Sequence, residues 1–211
     1  TGLVFSFLSI KLLEPLSYKL GLVDKPDERK QHQGVIPLIG GISIFSAVFI
    51  SSLIILPNTL ELRLFLIASA LMVFIGALDD KYDVSVRIRI IAQVIIASLM
   101  IFGIDIYISN LGNILYFGNI NLGWFGIVFT YLCMLAAINA FNMVDGIDGL
   151  VGSLSMNTFI SIIILTLLSS YSPSIPHNFV LIIATLITVA IVPYLLFNLA
   201  NSNNGIKKVF M

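Results

Sequence analysis

The sequence contains little charge, and this scarcity is its most informative property. Only 10% of its 211 residues are charged, against about 25% in soluble domains. Since 58% of the residues are hydrophobic and the mean hydropathy is +1.05, an ordinary water-soluble enzyme is excluded. The eleven basic and eleven acidic residues cancel, so net charge does not suggest a nucleic-acid partner. The single cysteine, Cys133, excludes an internal disulfide.

Long apolar runs fill most of the chain. A hydrocarbon layer of about 30 Å needs roughly 20 apolar residues per helix. Six runs predict such helices, at residues 38–56, 62–78, 88–102, 122–138, 149–170 and 179–199. The opening run, residues 1–10, is shorter, and we interpret it as the end of a truncated seventh helix. The sequence predicts an all-α, polytopic membrane protein with about seven transmembrane helices. We expect residues 1–211 to form one transmembrane domain of a longer protein that continues past both ends.

The basic residues are unevenly distributed among the connections between these runs. If successive helices cross the membrane, every Lys and Arg except Arg63 falls on one side. That side receives the connections over residues 11–36, 79–89, 139–148 and 200–211. By the positive-inside rule, that side is the cytoplasm. Five aspartates lie at helix ends on the same side: Asp79, Asp80, Asp83, Asp145 and Asp148. Ionisable groups at membrane depth are costly and usually mark a functional site, so we expect one at this face.

The segment from Asp79 to Asp83 places three carboxylates at the end of an apolar run. Adjacent carboxylates repel each other unless they share a cation, and they suit a hard divalent ion such as Mg²⁺ whose coordination is completed by phosphate oxygens. A solvated helix end with Lys81, Arg87 and Arg89 as counter-charges explains the same pattern. The segment alone does not decide between these interpretations.

The run over residues 139–150 is more specific. Two asparagines and two aspartates recur at every third residue, which predicts a row of amides and carboxylates along one face of a helical or 3₁₀-like turn. Their positions are Asn139, Asn142, Asp145 and Asp148. Gly146 and Gly149 leave room for the backbone to bend or for a ligand to approach. Helix capping explains one aspartate but not this whole row, so the run favours a binding site.

Two further segments are candidates on the same side. Arg29 and Lys30 offer donors for phosphate groups, and His32 is a candidate ligand or acid–base group. Anionic lipid headgroups also explain this basic loop, without any catalytic role. Asn198, which follows Pro193 in the last run, either turns its amide toward the site or terminates the helix.

Together and in this order, these segments resemble the polyprenyl-phosphate N-acetylhexosamine-1-phosphate transferases of glycosyltransferase family 4, and in particular the undecaprenyl-phosphate N-acetylglucosamine-1-phosphate branch. The resemblance extends over residues 21–211. Its matching elements are Val23-Asp24-x-Pro26, Arg29-Lys30-x-His32, Pro37, Gly40-Gly41, Asp79-Asp80, the run over 139–150, Phe197-Asn198 and Lys208-Val209-Phe210-Met211. The run over 139–150 is highly specific, whereas an aspartate pair alone is a weak signal.

The resemblance implies an enzyme that transfers a sugar 1-phosphate, in this branch N-acetylglucosamine 1-phosphate, from a UDP-N-acetylhexosamine to undecaprenyl phosphate and releases UMP. This would be the first membrane step of cell-envelope polysaccharide synthesis, such as that of lipopolysaccharide. The resemblance further implies Mg²⁺, or Mn²⁺ in its place, and a multi-pass protein of the bacterial inner membrane whose site faces the cytoplasm. The sequence leaves open whether the protein forms a homodimer.

The resemblance also implies residue roles. Asp79 and Asp80 are the implied catalytic pair and metal ligands, and Asp145 is a further metal ligand. The implied substrate-binding residues are Asn142, Asp145, Asp148, Asn198, Arg29, Lys30 and His32. Asp83 has no assigned role. In the family, Val-Phe-Met continues into Gly-Asp, whose aspartate binds the metal, and a later loop carries a histidine cluster. We therefore expect residues 1–211 to be a fragment that does not turn over by itself.

Two other hypotheses fit part of the pattern. The stretch from Asp79 to Asp83 matches the Asp-Asp-x-x-Asp of isoprenoid-diphosphate enzymes, but that scheme leaves the run over 139–150 unexplained. An ion-coupled transporter uses carboxylates at broken helices near the middle of the membrane. Here the carboxylates lie near one face and the sequence shows no convincing internal repeat, so the transferase hypothesis explains more.

Overall fold

The computed structural model describes residues 1–24, 34–114, 116, 118–168, 177–200 and 208–211. Seven helices lie within these ranges: α1 (Gly2–Leu20), α2 (Gly40–Ile55), α3 (Leu60–Tyr82), α4 (Val86–Gly103), α5 (Phe125–Val144), α6 (Leu150–Leu168) and α7 (His177–Asn198). Two-residue strands, β1 (Val23–Asp24) and β2 (Ile36–Pro37), pair antiparallel, with Val23 opposite Pro37. The prediction of an all-α protein is confirmed.

The apolar lengths of these helices fit a membrane protein. Helices α3 to α7 are long and apolar enough to cross a membrane, and α2 is a shorter apolar helix of 16 residues. Helix α1 is the exception, because Lys11, Glu14 and Lys19 lower its hydropathy. The apolar runs therefore predicted the positions of the spanning helices correctly.

The first helix is longer than expected. The sequence predicted an apolar run that ends at Ile10 and a connection over residues 11–36, but α1 continues to Leu20. The prediction was wrong because Lys and Glu end an apolar run without ending a helix, since both are good helix formers. The helix stops at Gly21, whose φ of 72° is left-handed and whose N–H donates to the Ser17 carbonyl.

Two other helices also extend past the ends of their apolar runs. Helix α3 continues from Leu78 to Tyr82, and α5 continues from Ile138 to Val144. The predicted connections over residues 79–89 and 139–148 are therefore shorter than expected. The end of an apolar run shows where the residues suited to hydrocarbon end. A helix continues past that point for as long as its backbone hydrogen bonds continue.

The chain divides into two compact units. The first consists of Thr1–Pro57, Ala77–Asp83 and Val144–Met211, and in it α7 packs against α1, α2 and α6. The hydroxyl of Ser6 in α1 donates to the Ala190 carbonyl of α7 at 2.7 Å. A small apolar core of this unit is formed by Ile10, Ile39, Phe197 and Val209, with Leu13 packed against it.

The second unit consists of Asn58–Gly76 and Val84–Met143. It contains most of α3 together with α4 and α5. Two polar pairs join α4 to α5: Ser98 and Tyr131 share a hydrogen bond of 2.6 Å, and the Asn139 amide donates to the Gln93 side chain at 3.1 Å. Such pairs are typical of transmembrane helix interfaces, where the hydrophobic effect does not drive association.

Candidate active site

The last turns of α3 carry the aspartate pair. Asp79 is half-buried and Asp80 is exposed, and both lie in the Ala77–Asp83 segment of the first unit. Asp83 donates its main-chain N–H to the Asp79 carbonyl at 2.8 Å and adopts a left-handed φ of 50°. Aspartate tolerates this conformation better than most residues do. Asp83 therefore ends the helix, which gives this residue a structural role.

A short turn between α5 and α6 carries the second pair of aspartates. Residues 145–149, which we call the aspartate turn, connect Val144 to Leu150, and Asp145 and Asp148 are both exposed. Gly149 has a φ of 72°, and a Cβ added to it would lie 2.7 Å from a methyl carbon of Leu199. At Gly146, by contrast, an added Cβ would meet nothing within 4 Å. Gly149 is therefore packed closely against Leu199, whereas the space around Gly146 is open.

Asn198, at the end of α7, holds the aspartate turn from within the protein. Only 3% of its surface is exposed. Its Oδ1 accepts a hydrogen bond from the Gly149 N–H at 2.5 Å, and its Nδ2 donates to the Val209 carbonyl at 2.9 Å. Lys208 forms an ion pair with the Asp148 carboxylate. The turn is therefore bound both to α7 and to residues 208–211.

Residues 208–211 are in turn fixed to the start of α2. The Phe210 N–H donates to the Pro37 carbonyl, and the Gly40 N–H donates to the Phe210 carbonyl, both at 2.9 Å. Leu38 and Phe210 form a parallel bridge beside β2. Segments that the sequence analysis singled out separately thus meet in the first unit. The backbone hydrogen bonds that join Phe210 to Pro37 and Gly40 explain much of the sequence pattern of these segments.

Tyr194 is a residue of the site that the sequence analysis missed. It is 2% exposed, and its ring packs where Cβ atoms on Gly40 and Gly152 would lie only 2.5 and 3.1 Å away. Asp145 and Asp148 both act electrostatically on its hydroxyl. A signal was present, because positions 194 and 198 share one face of α7. Without a comparison of positions 194 and 198, a tyrosine inside a long apolar run does not differ enough from its neighbours to be chosen as a site residue.

Asp145 and Asp148 have different electrostatic environments. Desolvation raises the pKa of Asp145 to about 6, although more than a third of the residue's surface is accessible. Its carboxylate makes no hydrogen bond or ion pair with any residue that the structure describes, whereas Asp148 is paired with Lys208. Asp145 is therefore the carboxylate of this turn that a bound cation would stabilise most.

The predicted row of asparagines and aspartates is divided by the end of α5. Asn139 and Asn142 lie on α5 in the second unit, while the aspartate turn belongs to the first. The side-chain amide of Asn139 donates hydrogen bonds to the Gln93 side chain and to the Leu135 carbonyl, so Asn139 has a packing role. Asn142 is exposed. The basic loop with Arg29, Lys30 and His32 lies outside the described residues.

The donor chemistry suits a hard divalent cation. Within the described ranges, no three His, Cys, Asp or Glu side chains form a group that could hold a metal ion. Magnesium usually needs fewer, because one or two carboxylates bind it together with waters and substrate phosphates. The aspartates at the end of α3 and Asp145 offer carboxylate oxygens of this kind. The residues present therefore fit Mg²⁺ when phosphate oxygens complete its coordination.

Comparison with known proteins gives consistent matches. The model of the family described as "Glycosyl transferase family 4" matches residues 62–211. Relatives named undecaprenyl-phosphate alpha-N-acetylglucosaminyl 1-phosphate transferase include the Yersinia pestis protein, which is 43% identical over 93% of this chain and 52% of its own length. The Escherichia coli K12 protein is 39% identical over the same shares. The Pasteurella multocida protein is 41% identical over 98% of this chain and 56% of its own. The chain spans about half the length of the curated relatives it matches.

Proposed function

Because the chain belongs to glycosyl transferase family 4, we propose that the protein containing it transfers N-acetylglucosamine 1-phosphate from a UDP-sugar to undecaprenyl phosphate and releases UMP. The names of its relatives specify this acceptor and this sugar phosphate. The observation that carries the proposal is that the aspartates of α3 and the aspartate turn belong to one compact unit, inside the region that the family model matches.

The placement of these aspartates at helix ends suits the two substrates. A polyprenyl phosphate keeps its tail in the bilayer, while a UDP-sugar is soluble, so the reaction has to occur where a membrane helix meets water. By the positive-inside rule, we assign this face to the cytoplasmic side of a bacterial inner membrane. We assign Arg29, Lys30 and His32 of the basic loop to phosphate binding on this face.

The chemistry requires charge neutralisation. An oxygen of the lipid phosphate attacks the phosphorus that carries the sugar, a new P–O bond forms, and the P–O bond to UMP breaks, so UMP leaves with the bonding electrons. Both reactants are anionic and repel each other. A divalent cation supplies electrostatic stabilisation to oxygens around the transferred phosphorus.

We assign the cation to the carboxylates of Asp79, Asp80 and Asp145, of which one or two would bind it at a time, together with phosphate oxygens of the substrates. Asn142 and Asp148 are the proposed contacts to the nucleotide. A lipid phosphate is already largely ionised near neutral pH, so Asp79 and Asp80 can contribute as ligands even where no proton has to be removed. In this scheme, the chain's main contribution is to position two anions around one cation.

Release of UMP in detergent tests the proposal. The protein expressed from its complete gene is incubated with Mg²⁺, UDP-N-acetylglucosamine and undecaprenyl phosphate, and UMP and lipid-linked product are quantified. We expect turnover, and we expect Asp145→Asn to lower kcat about 100-fold or more, which corresponds to about 2.7 kcal/mol. The matched control is Asp105→Asn, in the connection between α4 and α5, which should retain parent activity. Absence of UMP from the parent protein, or full activity of Asp145→Asn, contradicts the proposal.

A further inference from the structure

The aspartate turn is fastened at two neighbouring points by residues that are distant in sequence. The Gly149 N–H is bound by the side chain of Asn198, and Asp148 is bound by Lys208. Gly149 is buried, so its N–H would otherwise lose water without a replacement partner. The two contacts fix the end of the turn, while Asp145 at its beginning has no such partner among the described residues.

The chemistry of Asn198 suits a position between two backbone groups. A side-chain amide offers an acceptor and a donor about 2 Å apart, and here the acceptor meets an N–H while the donor meets a carbonyl. An ionised carboxylate of the same shape would accept from Gly149 but could not donate to Val209. Since Asn198 is almost completely buried and both polar ends meet main chain, its side chain is committed to the protein itself.

Lys208 complements this arrangement. Its ammonium group neutralises Asp148 and also lies 5.4 Å from the centre of the Phe210 ring. Phe210 is held to Pro37 and Gly40 by backbone hydrogen bonds. Movement of residues 208–211 would therefore be transmitted to the end of the aspartate turn by two routes, through Val209 and Asn198 to Gly149 and through Lys208 to Asp148.

We propose that Asn198 and Lys208 are positioning residues that lock the aspartate turn to residues 208–211, and thereby set the location of Asp145 without contacting either substrate. This inference rests on the proposed function for its kinetic consequences, but the lock itself is a property of the fold. It gives Asn198 a role different from the nucleotide contact that the family resemblance implies, and it gives Lys208 a role that the sequence analysis did not assign.

Isosteric variants separate the two hydrogen bonds of Asn198. Asn198→Asp retains the acceptor for Gly149 and loses the donor to Val209, whereas Asn198→Ala loses both. Lys208→Gln removes the ion pair, and Lys208→Arg retains it. The matched control is Asn113→Asp, because Asn113 also accepts a main-chain N–H, from Gly118, in the connection between α4 and α5. All variants are made in the protein expressed from its complete gene.

Amide hydrogen exchange reports on the lock without requiring activity. We expect Asn198→Ala to accelerate exchange of the Gly149 amide at least about tenfold, and Asn198→Asp to leave that amide protected while accelerating exchange at Phe210. Lys208→Arg should resemble the parent. Unchanged Gly149 exchange in Asn198→Ala overturns the lock.

Kinetics then decide whether the lock positions the site. Loss of partners that orient a metal ligand typically costs about 10- to 100-fold in activity or metal affinity. We expect Asn198→Asp and Lys208→Gln to lower kcat or raise the Mg²⁺ requirement in this range, with KM for UDP-N-acetylglucosamine within about twofold of the parent. A raised KM alone indicates direct nucleotide contact, and a lower melting temperature with unchanged kcat indicates a purely structural role. Either result overturns the proposal. If the parent releases no UMP, the proposed function fails, and the exchange data still decide whether the lock exists.

Discussion

The ring of Tyr194 in α7 occupies the space in which a side chain on Gly40 would begin. A Cβ built on Gly40 would lie 2.5 Å from one ring carbon and 2.9 Å from the Phe210 carbonyl oxygen. Contacts this short do not occur between real Cβ atoms and their neighbours. The first turn of α2, the last turns of α7 and residues 208–211 are therefore in contact at a glycine that cannot be enlarged without movement.

This contact predicts different outcomes for two adjacent glycines. Gly40→Ala should lower the stability of the protein by about 1–3 kcal/mol, because overpacking a close contact forces backbone or side-chain shifts. The control is Gly41→Ala, since a Cβ there would meet only Met211 at an ordinary 3.8 Å. Melting temperatures in detergent measure the effect. Equal losses in both variants would contradict this packing.

The two glycines of the aspartate turn should also differ. Gly149→Ala places a Cβ against Leu199 and in a left-handed conformation that costs an L-residue about 1–2 kcal/mol, whereas Gly146 has open space around it. We expect Gly149→Ala to lower both the melting temperature and the rate of UMP release. Gly146→Ala should retain both within experimental error. An unchanged melting temperature and an unchanged rate of UMP release in Gly149→Ala would mean that the turn adopts another conformation.

Asn139 should behave as a packing residue although it belongs to the same sequence pattern as the aspartates. Asn139→Leu removes its hydrogen bond to Gln93, and the coupling between these positions in a double-mutant cycle with Gln93→Leu should be near 0.6 kcal/mol, which is typical of hydrogen bonds between membrane helices. The variant should melt earlier than the parent and yet release UMP at a comparable rate below its melting temperature. Inactivity of the folded variant would instead place Asn139 in the site.

The raised pKa of Asp145 predicts a pH dependence of stability with a defined sign. Desolvation raises the pKa of the native carboxyl to about 6, above the ordinary aspartate value of 3.8, so the native state binds this proton more tightly than the unfolded chain does. The contribution of Asp145 to the free energy of unfolding is therefore fully favourable below the unfolded pKa. It declines as the pH rises through the folded pKa and is absent above it. Without Mg²⁺, Asp145→Asn should melt at a higher temperature than the parent above pH 6, and the difference should shrink as the pH falls toward the unfolded pKa.

Two additions check that this pH effect belongs to Asp145. The control for removing a carboxylate elsewhere in the chain is Asp105→Asn, in the connection between α4 and α5. Mg²⁺ should stabilise the parent above pH 6 more than it stabilises Asp145→Asn, since only the parent has this carboxylate to bind it. A difference that grows toward low pH would have the wrong sign and would contradict the assignment.

The sequence by itself determined the membrane class and the order of the seven helices that the structure describes, five of which are long and apolar enough to cross a membrane. Hydropathy is a property of consecutive residues, and hydrocarbon requires each spanning segment to satisfy its own backbone hydrogen bonds. It also identified the aspartates at the ends of α3 and α5 as the unusual residues of an apolar chain. Where the sequence failed, as at the end of α1 and α5, a local apolar pattern stopped before the helix did.

Only the tertiary structure decided what the polar residues of the pattern do. Asn198 and Gly149 are 49 residues apart, and their hydrogen bond exists because α6 and α7 pack side by side. Asn139 and Asp145 look equivalent in the sequence, yet one is engaged between α4 and α5 and the other follows the end of the helix. Partners that meet through packing leave no local signal, since the free energy of each contact depends on groups that chain order does not bring together.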